Sequence, residues 1–391
     1  KKIRMEKIYT ALGLMSGTSM DGVDASILSS SDGIQYEGEF NRYYEYDKDI
    51  YQKLSSLRDK IFTSKDLKKH LKEVKSLEKE ITLFHAKVVN DVNHSVKRST
   101  SPRPEIIGFH GQTIFHNPKE KISVQLGDGK LLSQLTKKTV IYDFRQNDLK
   151  NGGQGAPLTP IFHESLRNKI WGNRVPVIFI NIGGIANVTC FHSGNKFGEP
   201  MFASDIGPGN CLIDEWIRKN SKKRYDESGL IAKSGKINKL ILNQALENFT
   251  ISFEGSLDIK DFDISFVRGL SLEDGAATLT NFTAEIIFAS LVTLLAKKEY
   301  ECGDELFPNF IICGGGRKNK YLLDLLEEKI RLNLKYNRFQ LIDEHNIDGD
   351  FIESQAFAFL AIRSYLKLPI SFPNTTGCKK PITGGEIIES T

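Results

Sequence analysis

Residues 8–30, IYTALGLMSGTSMDGVDASILSS, decide the fold. Two apolar runs flank a short turn of Gly, Ser, Thr and Asp, the pattern of a β-hairpin that carries its polar residues at the tip. The design returns at 175–192, VPVIFINIGGIANVTCFH, with Gly183 and Gly184 at the turn. Two hairpins of one kind, about 165 residues apart, predict a duplicated core.

Working outward, residues 64–95 place Leu67, Leu71, Val74, Leu77, Ile81, Phe84, Val88 and Val92 at steps of three and four, an amphipathic helix whose Lys and Glu face water. The run IIGFHGQTIFH (106–116) reads as a strand ending in a polar loop. TVIYDFRQNDLKNGGQGAPLTPIFHESL (139–166) reads as a buried strand, a Gly-rich loop and a helix with Pro157 in its first turn. MFASDIGPGNCLIDEWIRK (201–219) gives a strand end, a Gly-Pro-Gly turn and a helix. Helical stripes follow at 277–297, 319–331 and 353–366, the second directly after the strand and turn FPNFIICGGGRKN (307–319). Strands alternating with helices, with Gly-rich turns at strand ends, specify an α/β class.

The 391 residues exceed the ~250–300 at which single cores stop growing, so two domains with a cleft are expected. The expected division is 1–147, 148–352 and a C-terminal helix over 353–391 packing back on the first domain. Lys plus Arg of 53 against Asp plus Glu of 49 leaves +4 spread along the chain, which makes no case for nucleic acid or an anionic membrane. No run of 18 apolar residues occurs, so no spanning helix is expected. The N-terminal apolar stretch is broken by Gly13 and the polar run from Ser16, no secretory signal forms, and Met5 is a second candidate start. Cys190, Cys211, Cys302, Cys313 and Cys378 include no C-x-x-C pair; they read as buried small apolar residues of a reducing, cytoplasmic compartment.

Three Gly-rich turns each follow an apolar strand: SGTSMDG (16–22), NIGGIAN (181–187) and CGGGRKN (313–319). Glycine lets backbone amides approach a phosphate, and Ser or Thr hydroxyls add donors, although each turn alone is equally a tight turn needing positive φ. None fits a P-loop or the dinucleotide spacing. A phosphate held between two hairpin tips, with a nucleotide base on the third turn, is the remaining pattern.

The motifs GLMSGTSMDGVDAS, GFHGQTIFH, DFRQNDLKNGGQGAPL, NIGGIANVT, SDIGPGN and CGGGRKN stand in one order, and by them the chain resembles the anhydro-N-acetylmuramic acid kinase family from about residue 8 to its end. The resemblance implies the actin-like ATPase, hexokinase-type fold, in which two ribonuclease-H-like domains close an active-site cleft on ATP and substrate. It also implies the reaction: 1,6-anhydro-N-acetylmuramic acid, ATP and water give N-acetylmuramic acid 6-phosphate and ADP, in recycling of peptidoglycan sugars. A homodimer is consistent with the family.

Opening the anhydro bridge needs a base for water, and by similarity Asp205, ahead of Gly207-Pro208-Gly209-Asn210, is that catalytic base; a helix N-cap carboxylate is the competing reading. The family's nucleotide segment falls on Gly17, Thr18, Ser19, Met20, Asp21, Gly22, Val23 and Asp24, with Gly183, Gly184, Gly314 and Gly315 as the other turn glycines. Mg²⁺ is expected from phosphoryl transfer. Many sugar kinases of this fold carry an Asp where Leu14 stands, so Asp21, Asp24 and Asp205 are the local replacements, directly or through water, with Asp21 and Asp24 the metal candidates. Arg145 suits a muramic carboxylate, or equally an interdomain salt bridge. Glu353 matches a family glutamate near the substrate and also suits a helix dipole. His110 and Gln112, with Asn151 to Gly155, are second-rank candidates for lining the cleft at the sugar; His110 reads equally as a satisfied structural histidine, and His85 and His163 more so as core. In the aspartate motif the family's Phe-Asp-Thr is here Ser204-Asp205-Ile206. Two rival functions stay in view: a simple kinase of an open amino sugar, and a non-catalytic binding or regulatory protein on the same fold.

Overall fold

In the computed structural model, residues 7–98, 101–194, 197–198, 201–251, 253, 257, 259–296 and 307–390 are described, and Cys302 lies outside them. β1 (Tyr9–Ser16), β2 (Gly22–Ser30) and β3 (Glu37–Glu45) form an antiparallel meander. β4 (Ile106–Asn117) lies parallel to β1 and carries β5 (Ile122–Leu126) as an antiparallel partner; β6 (Thr139–Tyr142) is parallel to β4. Further on, β7 (Val177–Ile182), β8 (Ile185–Phe191) and β9 (Phe202–Pro208) repeat the meander, with β10 (Asn309–Cys313) and β11 (Arg338–Leu341) added in parallel. β12 (Glu386–Ile388) closes the first sheet against β6. With β5 and β12 set aside as additions, the sheets run β3-β2-β1-β4-β6 and β9-β8-β7-β10-β11, the same ribonuclease-H-like order once in each half of an α/β chain.

The chain divides into unit 1, residues 1–169 with 350–391, and unit 2, residues 170–349. Where the sequence reading put the first boundary at 147/148, the division falls at 169/170. The helix Pro160–Trp171 accounts for the difference, since Phe162 packs on Tyr36 and Phe359 with ring centroids 5.0 and 5.4 Å apart. That helix starts at Pro160, so Pro157 is not in its first turn; the Ala156–Pro157 peptide is cis. Residues 353–391 are not one helix either: Ile352–Tyr365 is followed by the short helix Pro373–Thr376 and β12.

Alternation along β1 builds unit 1 on two faces. Leu12 and Leu14 join the core lined by Val74, Leu77, Ile81, Val88 and Val92 of the helix Leu71–Lys97. Gly13, between them, turns to the helix Ile352–Tyr365: a Cβ there meets Ser354 O at 1.9 Å, and one on its register partner Gly108 meets Phe357 O at 2.2 Å. Two adjacent glycines thus let that helix lie on the sheet at backbone contact. In unit 2, Ile178, Ile180 and Ile182 of β7 pack with Ala284, Ile287, Leu291 and Leu294 of the helix Leu272–Leu295. By length and composition this helix could cross a membrane, which the search for an unbroken apolar run missed. With 67% of its most apolar window buried, its apolarity serves the core.

Candidate functional site

The first turn, Gly17–Asp21, joins β1 to β2. Thr18 and Ser19 are exposed, whereas Met20, at φ 57°, tucks its side chain into the core. Ser19 Oγ donates to Asp21 Oδ1 at 2.6 Å, and the Met20 amide reaches Gly17 O. Beneath the tip, the buried Ser16 Oγ lies 2.6 Å from Gln112 Oε1, 2.8 Å from Gly22 O and 2.9 Å from Tyr46 OH, while Gln112 Nε2 donates to Gly17 O at 3.0 Å. Both ends of the Gln112 amide are therefore spent on the turn. The expectation of a loop at HGQT fails because β5 supplies a partner and keeps β4 extended through it. Val23 is buried in the core and Asp24 sits on β2, opposite Met15 and Tyr43.

A second group gathers around Arg145. Its Nη1 donates to Gly155 O at 2.8 Å and its Nη2 to His110 Nε2 at 2.9 Å. His110 Nδ1 lies 2.8 Å from Gly111 O, and because a carbonyl only accepts, the ring is the neutral Nδ1–H tautomer. Burial, with Arg145 adding, keeps His110 well below the ordinary histidine range. Burial pushes the Glu353 carboxyl, in the first helical turn of Ile352–Tyr365, upward, and Arg145 opposes this. Asn151 is not aimed at this group; its Nδ2 donates to Asn147 O. His85 and His163 are buried in the core.

In unit 2 the second turn is interlocked with the Gly-Pro-Gly turn. Gly183 O accepts the Asn210 amide at 2.8 Å, and Gly184 O accepts those of Gly209 and Cys211 at 2.9 and 3.2 Å. The third turn adjoins them: a Cβ on Gly314, φ +77°, falls 2.6 Å from Asn181 Oδ1 and 2.7 Å from Ile182 O, while Gly315 faces open space. Asp205 is on β9, register partner of Asn187, beside a bulge that is completed by Gly207 at φ +146°. Its Oδ2 accepts the Leu257 amide at 2.8 Å. Asp205 is not a helix cap, since Asn210 holds the N-cap position of Cys211–Asn220. Ile206 faces the other way into the core, so the family's threonine hydroxyl at that position would not lie with the carboxylate.

Sequence reading missed the supports. The buried Arg317 makes paired bonds to Asp343, Nε to Oδ2 at 2.7 Å and Nη2 to Oδ1 at 3.1 Å, and its Nη1 holds Gly314 O at 3.1 Å. Asp148, 1% exposed, takes the Gly155 amide on Oδ2 at 2.7 Å and Thr376 Oγ1 on Oδ1 at 2.6 Å. A charged residue beside a Gly-rich turn was the available signal for both. Among the described residues no group of three or more His, Cys, Asp or Glu stands ready to hold a metal alone. Asp21, half-buried at the tip with one oxygen on Ser19, fits a single-carboxylate contribution to an ion held largely by phosphate and water.

The family model for anhydro-N-acetylmuramic acid kinase matches residues 9–390. A kinase of that name from Pelagibacter ubique is 51% identical over 391 residues, covering 99% of this chain and 100% of the relative. One from Agrobacterium fabrum is 37% identical over 393 residues, with 99% and 100% covered. A ROK hexokinase structure from Thermus thermophilus aligns at TM-score 0.38 and 11% identity, covering 91% of this chain and 99% of that one. By the family match and the full-length relatives, this chain belongs to the anhydro-N-acetylmuramic acid kinase family.

Proposed function

We propose that the chain converts 1,6-anhydro-N-acetylmuramic acid, ATP and water into N-acetylmuramic acid 6-phosphate and ADP, with Asp205 as the base. It is an ATP-using kinase whose acceptor is an alcohol group of a sugar. The observation that carries the finer reading is the setting of Asp205, a largely buried carboxylate fixed by a backbone amide at a strand bulge. One carboxylate oxygen is spent on orientation, as a general base requires. Asp205 takes a proton from water as the water oxygen bonds to the anomeric carbon; the bond from that carbon to the bridging 6-oxygen breaks. The released 6-oxygen bonds to the γ-phosphorus as the bond to ADP breaks, a transfer helped mainly by positioning and charge stabilisation.

The turn segment Gly17–Asp24, exposed at Thr18 and Ser19, is assigned with Gly183, Gly184, Gly314 and Gly315 to the nucleotide. Mg²⁺, when bound with it through Asp21 or Asp24, supplies charge neutralisation on the phosphates. Arg145 is assigned to the lactyl carboxylate, with Glu353 near the sugar. Gln112 is assigned to the turn rather than to the sugar, because both ends of its amide are bonded there. A cytoplasmic location, a place in recycling of peptidoglycan sugars and a homodimer belong to the same reading.

The test is ADP release with and without the anhydro sugar, run in water enriched in oxygen-18. The expected result is sugar-dependent release with the heavy oxygen at the anomeric carbon, and loss of turnover with retained nucleotide binding in Asp205→Asn. An unlabelled product, or equal turnover of N-acetylmuramic acid, sinks the coupled reaction.

A further inference from the structure

We infer that His110 and the Gly155 carbonyl form an uncharged clamp that aims Arg145 at the substrate carboxylate, making His110 a positioning residue on which discrimination between muramic and glucosamine sugars depends. The inference rests on the assignment of Arg145 given above. Both clamp atoms are neutral acceptors. His110 carries its proton on Nδ1, against Gly111 O, and so presents a bare Nε2 lone pair to Arg145 Nη2. The Gly155 carbonyl fixes Nη1. Two contacts to one planar fork set its direction, and neither discharges the guanidinium.

His116 is held at about 4 by burial and Arg145, so neither histidine turns cationic beside the guanidinium at neutral pH. Glu353, an acidic group that feels Arg145, is disfavoured as an anion by burial. Asp148 spends its carboxylate on Gly155 N and Thr376 Oγ1, and the Gln154 amide donates to Thr376 O at 2.7 Å. The C-terminal segment around Thr376 thus holds the loop that holds Arg145. Gly155 itself, at φ +73°, strains any side chain, and a Cβ there crowds Leu149 Cγ at 3.0 Å and His116 Cε1 at 3.2 Å.

The experiment compares KM for 1,6-anhydro-N-acetylmuramic acid with Ki for 1,6-anhydro-N-acetylglucosamine, which lacks the carboxylate, as a competitor, in the full chain. His110→Leu removes the acceptor and is expected to raise KM roughly 10- to 100-fold while Ki moves less than about threefold, the scale of losing one charge-assisted contact. His110→Gln, which retains an acceptor oxygen, is expected to restore most of the ratio. Should His110→Leu fail to fold, Thr376→Val, loosening Asp148 and hence Gly155, is expected to move the same ratio by about threefold. Equal losses for both sugars, or an unchanged ratio in folded variants, overturn the clamp and leave the kinase reading intact. Failure of the wild-type chain to turn over the muramic sugar overturns that reading instead.

Discussion

The two hairpin turns occupy the same place in two copies of one strand order, yet they are held in different ways. The turn of unit 1 stands on side chains: Ser16, Gln112 and Tyr46 lock beneath it, and its outer hydroxyls remain exposed. The turn of unit 2 stands on backbone, its two glycine carbonyls capped by three amides of the following turn. Side-chain support admits titration and substitution, whereas backbone support is exposed chiefly to steric change. The same contrast extends to the interiors, because unit 1 buries histidines beside its site.

The largest effect expected from this contrast is a difference in acid stability. Burial holds His85 at about 4 and His163 at about 3; burial with Arg145 holds His116 at about 4 and His110 well below the ordinary value. An unfolded histidine titrates near 6.5, and each unit of depression is worth about 1.4 kcal/mol. Between pH 6.5 and 4 the unfolded chain therefore binds protons that folded unit 1 does not, so stability present above pH 6.5 is lost on acidification. Asp143, pushed up to about 6 chiefly by burial, and Glu353, also raised, act in the opposite sense, two groups against four. In unit 2, burial pushes Asp214 up to about 7, which favours the folded unit as pH falls, while His345 shifts down. Amide exchange at pH 5 against pH 7 should show β1 and β4 losing protection before β7 and β10. The reverse order breaks the comparison.

The next effect is steric. Gly209→Ala places a methyl 2.2 Å from Gly183 O, a backbone atom that cannot yield without opening the interlock. A cost of about 2–3 kcal/mol is expected, with melting lowered by about 2–4 °C per kcal/mol and ADP release largely lost. Gly17→Ala meets only Ser19 Oγ at 4.0 Å, so its stability should change by less than about 0.5 kcal/mol. Scanning calorimetry of the pair decides the matter; equal melting temperatures would remove the backbone interlock.

How far the sequence carried the fold follows from the same physics. Strand–turn–strand runs such as 8–30 and 175–192 are local patterns, and both hairpins formed where the periodicity and glycines placed them. β5 and β12 were not legible, because short strands of mixed polarity take their state from partners far along the chain. At the candidate site, residue types pointed to Asp205, Arg145 and the turns, but a list of polar residues does not say which are consumed internally. Gln112 and His110 read as candidates to line the sugar's cleft, His110 equally as a structural histidine, and in the fold both bond other parts of the site. Asp148, Thr376, Arg317 and Asp343 went unread for the same reason: their bonds join segments up to 228 positions apart.

The smallest effect tests the side-chain half of the contrast. Gln112→Leu keeps the volume of a buried residue but leaves Gly17 O with the Met20 amide alone and Ser16 Oγ without the Gln112 oxygen. Each such bond is worth about 0.5–1.5 kcal/mol net, so a loss of about 1–2 kcal/mol is expected. Because the loosened carbonyl belongs to the turn assigned to the nucleotide, KM for ATP should rise several-fold while KM for the sugar stays near its wild-type value. Gln112→Glu keeps the acceptor for Ser16 but turns a carboxylate oxygen on Gly17 O, so it should raise KM for ATP at least as much. A loss of stability in both variants with KM for ATP unmoved would mean that the network serves the core of unit 1 alone, and the turn of unit 1 would then be as independent of side chains as its counterpart in unit 2.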